Sequence, residues 1–225
     1  MDKYLGYFDA VCYINLDRRD DRKILFEEQA MRLSIPATRF SAIEAQDSEV
    51  KYLYEGHVDI TRKQKIGCTL SHQHIIRWAK ETQKENVLIF EDDCCFLDSY
   101  KEKIQEVANE LKDVDWDILY LGGEPNNYCT PITNNLALMK NGGVYCLHAY
   151  AVNHKFYDKM LLPKANEISL MDLHLLNMND TYRKCYLTRD LLTIQKDTYS
   201  DLWDTITNSS EIIKNSWDKF VPKSI

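Results

Sequence analysis

The stretch VLIFEDDC at residues 87–94 decides the fold, because an apolar run ends there abruptly in three consecutive carboxylates. A short apolar run bounded in this way predicts a β-strand. Ligands of open α/β sheets bind beyond the carboxyl ends of the strands, and the three carboxylates would lie at such an end. The stretch therefore predicts where a functional site lies as well as the class of fold around it.

The segments on both sides of this strand alternate between strand and helix patterns. Further strands are predicted at residues 10–16, 37–43 and 116–121. Helical spacing of apolar residues is found at residues 20–33, 67–83 and 100–111. This alternation is typical of a largely parallel, Rossmann-like sheet covered on both faces. The polar residues 44–65 have weak periodicity and predict a long loop.

The pattern changes after Gly122 and Gly123. Two β-rich segments, residues 131–140 and 144–152, are separated by an Asn-Gly-Gly turn signal and predict a hairpin or a mixed-sheet section. Short helices are predicted at 154–161 and 170–177, a strand at 191–195 and a last helix at 211–220. The expected fold is α/β, a mixed sheet with helices on both faces, formed by residues 1–205. Residues 206–225 would be a helical extension that packs on this domain or mediates oligomerisation.

The charge balance excludes one class of partner. The chain has 28 Lys and Arg against 35 Asp and Glu, a net charge of −7, and lacks a basic cluster that could follow a nucleic acid backbone. An anionic small ligand would need a local cation such as a metal ion. No signal peptide or apolar run of membrane-spanning length is found, so a cytoplasmic protein is expected. The seven cysteines contain no CxxC pair, which predicts reduced thiols.

The three carboxylates repel one another unless they are solvated or neutralised. On an extended backbone Glu91 and Asp93 would point one way and Asp92 the other. Two converging carboxylates suit Mn²⁺ or Mg²⁺, which would bridge to a diphosphate. The alternative is a solvated strand end that caps the following helix, and the local sequence does not choose between the two.

Beyond these patterns, the sequence resembles glycosyltransferase family 25, which includes bacterial lipooligosaccharide galactosyltransferases and collagen hydroxylysine galactosyltransferases. The similar segments run in order along most of the chain: YINLDRRDDRK (13–23), FSAIEA (40–45), IGCTLSHQHIIRWA (66–79), VLIFEDDC (87–94), WDILYLGG (116–123), AYAVN (149–153), the helix around Asp172, and LLTIQKDTYSDL (191–202). Each segment alone is a weak signal. Their common order makes the resemblance strong.

The resemblance implies a GT-A type fold, a UDP-sugar donor such as UDP-galactose, manganese, and transfer with inversion at the anomeric carbon. The acceptor would be a glycan or a hydroxyl-bearing protein. The chain is far shorter than the two-domain collagen-modifying enzymes and lacks their secretory signal and ER-retention tail, which leaves the acceptor open.

The resemblance also suggests residues for the donor site. Arginine offers fork-shaped donors to phosphates and ring carbonyls. The expected donor-binding residues are Asn15, Arg18, Arg22, Gly67, Ser71, His72, Asp92, Gln195 and Ser200. The alternatives stay open: Arg18, Arg19 and Arg22 as surface charges paired with Asp17, Asp20 and Asp21; Asn15 as a turn former; His72 as a packing residue.

Metal binding and proton transfer are assigned to carboxylates. Glu91 and Asp93, with Asp201 as a third ligand, are expected to hold the metal ion. An inverting transfer needs a base that takes the proton of the acceptor hydroxyl. Asp172 is the first candidate and Glu124 the second. Alternatively, Asp172 is a first-turn acid favoured by the helix dipole, and Ser200 with Asp201 begins a helix.

Two other functions compete with this hypothesis. The chain could be a nucleotide-sugar or glycan binding module that kept the fold and lost catalysis, although the complete EDD stretch disfavours this. It could also be a metal-dependent hydrolase or nuclease using the same carboxylates, but the acidic composition disfavours a nucleic acid substrate.

Overall fold

The structure is a computed structural model that describes residues 3–44, 60–161, 171–177, 184–200 and 205–223. The helices are α1 (Asp20–Leu33), α2 (Ile60–Glu81), α3 (Tyr100–Glu110), α4 (Tyr157–Met160), which follows a 3₁₀ turn at His154–Phe156, α5 (Met171–Asn177) and α6 (Ser209–Phe220). The strands before residue 122 are β1 (Ala10–Asn15), β2 (Thr38–Ser41), β3 (Asn86–Glu91), β4 (Cys94–Phe96) and β5 (Ile118–Tyr120). The later strands are β6 (Glu124–Pro125), β7 (Thr130–Pro131), β8 (Leu136–Met139), β9 (Val144–Tyr145), β10 (Ala149–Asn153), β11 (Cys185–Thr188), β12 (Thr193–Gln195), β13 (Tyr199–Ser200) and β14 (Thr205–Ile206).

A central sheet of eight strands has the order β2-β1-β3-β10-β5-β11-β8-β7. The pairs β1/β2, β1/β3 and β5/β11 are parallel, whereas β10 runs antiparallel to both of its neighbours, β3 and β5. The carboxyl ends of β1, β2 and β3 therefore meet at one edge of the sheet. This edge carries the three carboxylates that follow the apolar part of β3.

The two faces of the sheet carry separate cores, because successive side chains of a strand point to opposite sides. Val11 and Tyr13 of β1 pack in the core beneath α1 and α3, whereas Cys12 and Ile14 pack in the core beneath α2, α4, α5 and α6. Helices thus cover both faces of a mixed sheet. The α/β fold expected from the sequence, a mixed sheet with helices on both faces, is confirmed.

The C-terminal helix α6 packs on the domain. Ile213 and Trp217 are fully buried, and Trp217 belongs to the core shared with α2. The backbone N–H of Cys129 donates to the carbonyl of Phe220 at 2.9 Å, which joins the end of α6 to the segment before β7. The boundary at residue 205 and a role in oligomerisation stay predictions.

Several elements differ from the sequence-based expectations. The loop predicted over 44–65 is wrong for its last part, because α2 already begins at Ile60, where polar residues hide the helical periodicity. Strands β4 and β11 were not expected, since each is only three or four residues long. The two β-rich segments after Gly123 do not form a hairpin: β8 pairs with β11 and β10 lies between β3 and β5. The mixed-sheet alternative is the correct one.

All seven cysteines are free thiols, as expected from their spacing. Within the described part of the chain, no helix combines the length and the apolar character that crossing a bilayer requires.

Candidate active site

A cleft of about 850 Å³ opens at the carboxyl ends of β1 and β3. Its lining includes the residues that end these strands and residues of the segments around β6, β9 and α5. Gln195, Ser200, Thr207 and Ser209 complete the described lining. Most of the residues selected from the sequence line it: Asn15, Arg18, Arg22, Ser71, His72, Glu91, Asp92, Asp93, Glu124, Asp172, Gln195 and Ser200.

Of the selected residues that the structure describes, Gly67 alone does not line this cleft. Asp201 lies outside the described residues. Gly67 lies inside α2 rather than at its start, and a Cβ atom there would come within 2.4 Å of the carbonyl oxygen of Ile43. Its small size therefore permits α2 to approach the segment after β2, while a donor contact by Gly67 stays a prediction.

The three carboxylates do not alternate along an extended strand. Strand β3 ends at Glu91, and Asp92 and Asp93 form a turn before β4. Nη1 of Arg22 lies 3.0 Å from Oδ1 of Asp92 and 3.3 Å from Oδ2 of Asp93. The expectation that Asp92 points away from its neighbours is thus wrong, because the strand geometry on which it rests stops one residue earlier.

Asp92 is held by the end of β1. Nδ2 of Asn15 donates to Oδ2 of Asp92 at 2.7 Å, and Nε of Arg39 donates to Oδ1 of Asn15 at 2.9 Å. Burial raises the pKa of Asp92, and the charge of Arg22 opposes this shift. Asn15 therefore orients a carboxylate of the cleft through a hydrogen bond that Arg39 keeps in place.

Asp93 has one oxygen that lacks a partner. Its Oδ2 accepts from Nε2 of Gln195 at 3.2 Å, whereas its buried Oδ1 has no hydrogen-bond donor among the described residues. Burial, followed by the charge of Glu91, raises the pKa of Asp93 to about 7. A buried carboxylate oxygen without a donor, close to a second carboxylate, is a hard-oxygen site that a divalent cation fits.

Glu91 lies against α2. Its Oε1 is 3.0 Å from Nε2 of His72, and the other ring nitrogen, Nδ1, is 2.9 Å from the hydroxyl of Tyr150. Burial alone would raise the pKa of Glu91, but the hydrogen bond and charge of His72 hold it below its ordinary value. Glu91 is therefore an ionised carboxylate whose orientation is set by a buried histidine.

The other residues near the first strands have mainly structural contacts. Oγ of Ser71 donates to the carbonyl of Gly67 at 2.7 Å and accepts from the N–H of Ile43 at 2.8 Å, which ties α2 to the segment after β2. Arg18 forms an ion pair of 3.2 Å with Glu44 at the cleft. Of the alternative pairings, the one between Arg19 and Asp21 is observed, whereas Arg22 turns inward to Asp92 and Asp93.

The two candidate bases, Asp172 and Glu124, also line the cleft. Asp172 is in the first turn of α5, and its carboxylate accepts from the N–H of Leu173 at 2.7 Å and from that of Cys146 at 3.4 Å. Cys146 has a left-handed backbone (φ 64°), which is uncommon for a residue with a side chain. Burial raises the pKa of Asp172 and of Glu124. Both carboxylates thus face the cleft with an increased proton affinity.

Sequence reasoning missed four residues of this region: Arg39, Cys68, His148 and Tyr150. Cys68 lies four residues before His72, so both are on one face of α2, a signal that the sequence contains. His148 is fully buried, and burial lowers its pKa to about 4. Arg39 lies on β2, Tyr150 on β10, and His148 directly before β10. Their contacts join distant segments of the chain, for which a single sequence has no local signal.

Comparison with known proteins identifies the family. Residues 9–161 match the family model described as glycosyltransferase family 25 (LPS biosynthesis protein). The chain is 27% identical over 211 residues to the inactive glycosyltransferase 25 family member 3 of Mus musculus, covering 82% of this chain and 35% of that protein.

Two procollagen galactosyltransferases are also similar. The chain is 31% identical over 131 residues to procollagen galactosyltransferase 1 of Danio rerio, covering 51% of this chain and 21% of that protein. It is 25% identical over 256 residues to procollagen galactosyltransferase 2 of Mus musculus, covering 94% of this chain and 40% of that protein. The chain spans less than half the length of these relatives. Because the family model matches most of the chain, the protein belongs to glycosyltransferase family 25.

Proposed function

We propose that the protein is a metal-dependent, inverting glycosyltransferase that moves a hexose from a UDP-sugar to a hydroxyl group. The observation that carries this proposal is that Glu91, Asp92, Asp93 and Asp172 line one cleft at the carboxyl ends of β1 and β3. The cleft volume of about 850 Å³ is in the range of small-molecule and cofactor sites. A nucleotide-sugar would place its diphosphate at the strand ends and its sugar towards Asp172.

Glu91 and Asp93 would hold the divalent cation, Mn²⁺ or Mg²⁺. Oδ1 of Asp93, which has no hydrogen-bond donor in the part of the chain that the structure describes, supports this assignment. Asp201 is retained as a proposed third ligand from sequence alone. When bound, the cation would offset the negative charge of the departing diphosphate. His72 would keep Glu91 ionised and correctly oriented.

The donor would be bound by polar side chains around the carboxylates. Arg22 would extend its guanidinium from Asp92 towards the diphosphate, because a planar fork matches phosphate oxygens. Asn15 and Arg18, near the end of β1, would lie beside the nucleoside. The remaining proposed donor contacts are Ser71, Gln195 and Ser200, all of which line the cleft.

Asp172 would act as the general base. Its carboxylate would take the proton of the acceptor hydroxyl while that oxygen attacks the anomeric carbon and the bond to the UDP oxygen breaks on the opposite face. A raised pKa makes a carboxylate a better proton acceptor near neutral pH. The charges of Glu91 and His72 act on Asp172, whereas the pKa of Glu124 responds to burial alone. We favour Asp172 over Glu124 because its carboxylate interacts electrostatically with Glu91 and His72.

The names of the relatives and of the family suggest a class of sugar and a class of acceptor. Two similar proteins are procollagen galactosyltransferases, and the family description refers to lipopolysaccharide biosynthesis. We propose galactose as the first sugar to test, with a hydroxyl of a glycan or of a protein as acceptor.

The test is release of UDP from a panel of UDP-sugars with Mn²⁺, with and without candidate acceptors. Acceptor-stimulated release from one UDP-sugar, abolished by chelator, is the expected result. Absence of release from every UDP-sugar with every acceptor class would remove the transferase proposal. Asp158→Asn is a suitable control variant, because Asp158 is an exposed acid whose ion pair is with Lys80.

A binding protein without turnover is the second candidate, because the mouse relative that covers 82% of this chain is an inactive family member. Such a protein would bind a UDP-sugar with Mn²⁺ and leave it intact. Calorimetric binding of UDP-sugars combined with the release assay separates the two candidates.

A further inference from the structure

Helix α2 presents a thiol and an imidazole to the cleft from one face. Cys68 and His72 are four residues apart, a spacing that places side chains one above the other on a helix. The end of β3 brings Glu91 to the same place, and all three residues line the cleft. One ligand atom from each of the three lies within 4.8 Å of the other two.

A small tetrahedral ion would fit after a modest adjustment of these side chains, whose ligand atoms lie within 4.8 Å of one another. Bond lengths of zinc to nitrogen, oxygen and sulfur place the ligand atoms of a tetrahedral site roughly 3.3–3.6 Å apart. Nε2 of His72 and Oε1 of Glu91 are already 3.0 Å apart. A side-chain adjustment of about 1 Å would bring the Cys68 sulfur to a bonding distance.

The ring of His72 is oriented as that of a metal-ligating histidine. Its Nδ1 contacts the hydroxyl of Tyr150 at 2.9 Å in the buried core, which leaves Nε2 directed at Glu91. Metal-bound histidines typically have their second ring nitrogen fixed by such a partner. This contact is independent of the clustering of the three side chains and points to the same ligand class.

We propose that Cys68, His72 and Glu91 form a Zn²⁺ site with a fourth position open to the cleft. Thiolate and imidazole ligands favour Zn²⁺, whereas Mn²⁺ prefers oxygen ligands such as those of Glu91 and Asp93. On binding, the Cys68 sulfur forms a bond to the ion as the thiol proton passes to solvent. Three protein ligands and one open position are typical of zinc sites that exchange a water or a ligand.

The site can be tested with metal-free protein and Co²⁺ as a spectroscopic substitute for Zn²⁺. We expect one equivalent of Co²⁺ to produce a thiolate-to-cobalt charge-transfer band that Zn²⁺ then abolishes. Cys68→Ser should lose the band and weaken Zn²⁺ binding by more than about tenfold. Cys146→Ser is the matched control, since Cys146 lines the same cleft outside the cluster, and it should keep both the band and the affinity.

Two further variants keep the proposal testable if Cys68→Ser does not fold. His72→Gln should also weaken Zn²⁺ binding, and Tyr150→Phe should weaken it by roughly 10–100-fold while the band stays. Metal-free melting curves will show whether each variant is folded. The proposal is overturned if the wild-type protein gives no thiolate band, or if folded Cys68→Ser binds Zn²⁺ as tightly as Cys146→Ser does. None of these measurements depends on transferase activity.

Discussion

Nη1 of Arg22 lies 3.0 Å from Oδ1 of Asp92, so the carboxylates at the end of β3 have a counter-ion supplied by the protein itself. Both side chains are largely buried, at 12% and 9% exposure. Removing one partner of a buried ion pair leaves an uncompensated charge, which is strongly destabilising.

Arg22→Gln should therefore lower the free energy of unfolding by about 3–5 kcal/mol. Mn²⁺ should restore part of this loss, because a metal cation would then neutralise the same carboxylates. Denaturant unfolding with and without Mn²⁺ measures both effects. Arg19→Gln is the control, since its partner Asp21 is exposed. Equal unfolding midpoints for the two variants would contradict this role of Arg22.

UDP should raise the melting temperature only when Mn²⁺ is present. A diphosphate would otherwise meet the carboxylates of an acidic chain with net charge −7. At a UDP concentration of about 100 times Kd, the expected stabilisation is about 2.7 kcal/mol. Melting curves with Mn²⁺ and with chelator test this. The same UDP-induced shift in both conditions would argue against Glu91 and Asp93 as a diphosphate-bridging metal site.

Asp172→Asn and Asp93→Asn should separate chemistry from binding. A base acts as the transition state forms, so Asp172→Asn should retain the UDP-dependent shift and reduce turnover by about 10²–10⁴-fold. Asp93→Asn should lose metal-dependent UDP binding and turnover together. Calorimetry and UDP release provide the two readouts. Near-normal turnover in Asp172→Asn would transfer the base assignment to Glu124.

Zn²⁺ should inhibit the Mn²⁺-dependent response to UDP, because both proposed sites use Glu91. Stoichiometric Zn²⁺ is expected to remove the UDP-induced shift from the wild-type protein, and Cys68→Ser should resist this effect. Cys146→Ser should remain sensitive. If Zn²⁺ binds through Cys68 and the UDP response persists, the two ions do not share Glu91.

The buried tryptophan of α6 should contribute strongly to stability. Trp217→Ala is expected to cost about 3–5 kcal/mol, because it removes a large, fully buried side chain. Ile212→Ala on the same helix should change stability by less than about 0.5 kcal/mol, since Ile212 is 50% exposed. Urea unfolding of both variants measures the difference. Similar values for the two would mean that α6 is not integrated into the core.

The order of strand and helix patterns was sufficient to predict an α/β fold, because β1 and β3 are continuous apolar runs that end in polar residues. The placement of β10 between β3 and β5 could not be predicted, since pairing between distant strands depends on packing over the whole sheet. The same reason explains why β11, a strand of four residues, was missed.

The site could be predicted as a set of residue types but not as a network. The run of three carboxylates identified Glu91 and Asp93, and the resemblance identified Asp172 and Gln195. The contact of Arg22 with Asp92 and Asp93 required the turn after Glu91, which strand periodicity does not reveal. The link from Tyr150 through His72 to Glu91 joins three separate elements and has no sequence signal.

The contact between Asp93 and Gln195 spans 102 residues of sequence, and strands β4 and β12 pair beside it. Closing so long a loop is entropically costly, so this part of the cleft should form late in folding. Residues 9–161, which match the family model, contain the carboxylates but neither Asp172 nor Gln195. A fragment restricted to that match would contain the carboxylates and Glu124 but neither of those two residues, and partial unfolding that separates β12 from β4 would remove the contact of Gln195 with Asp93.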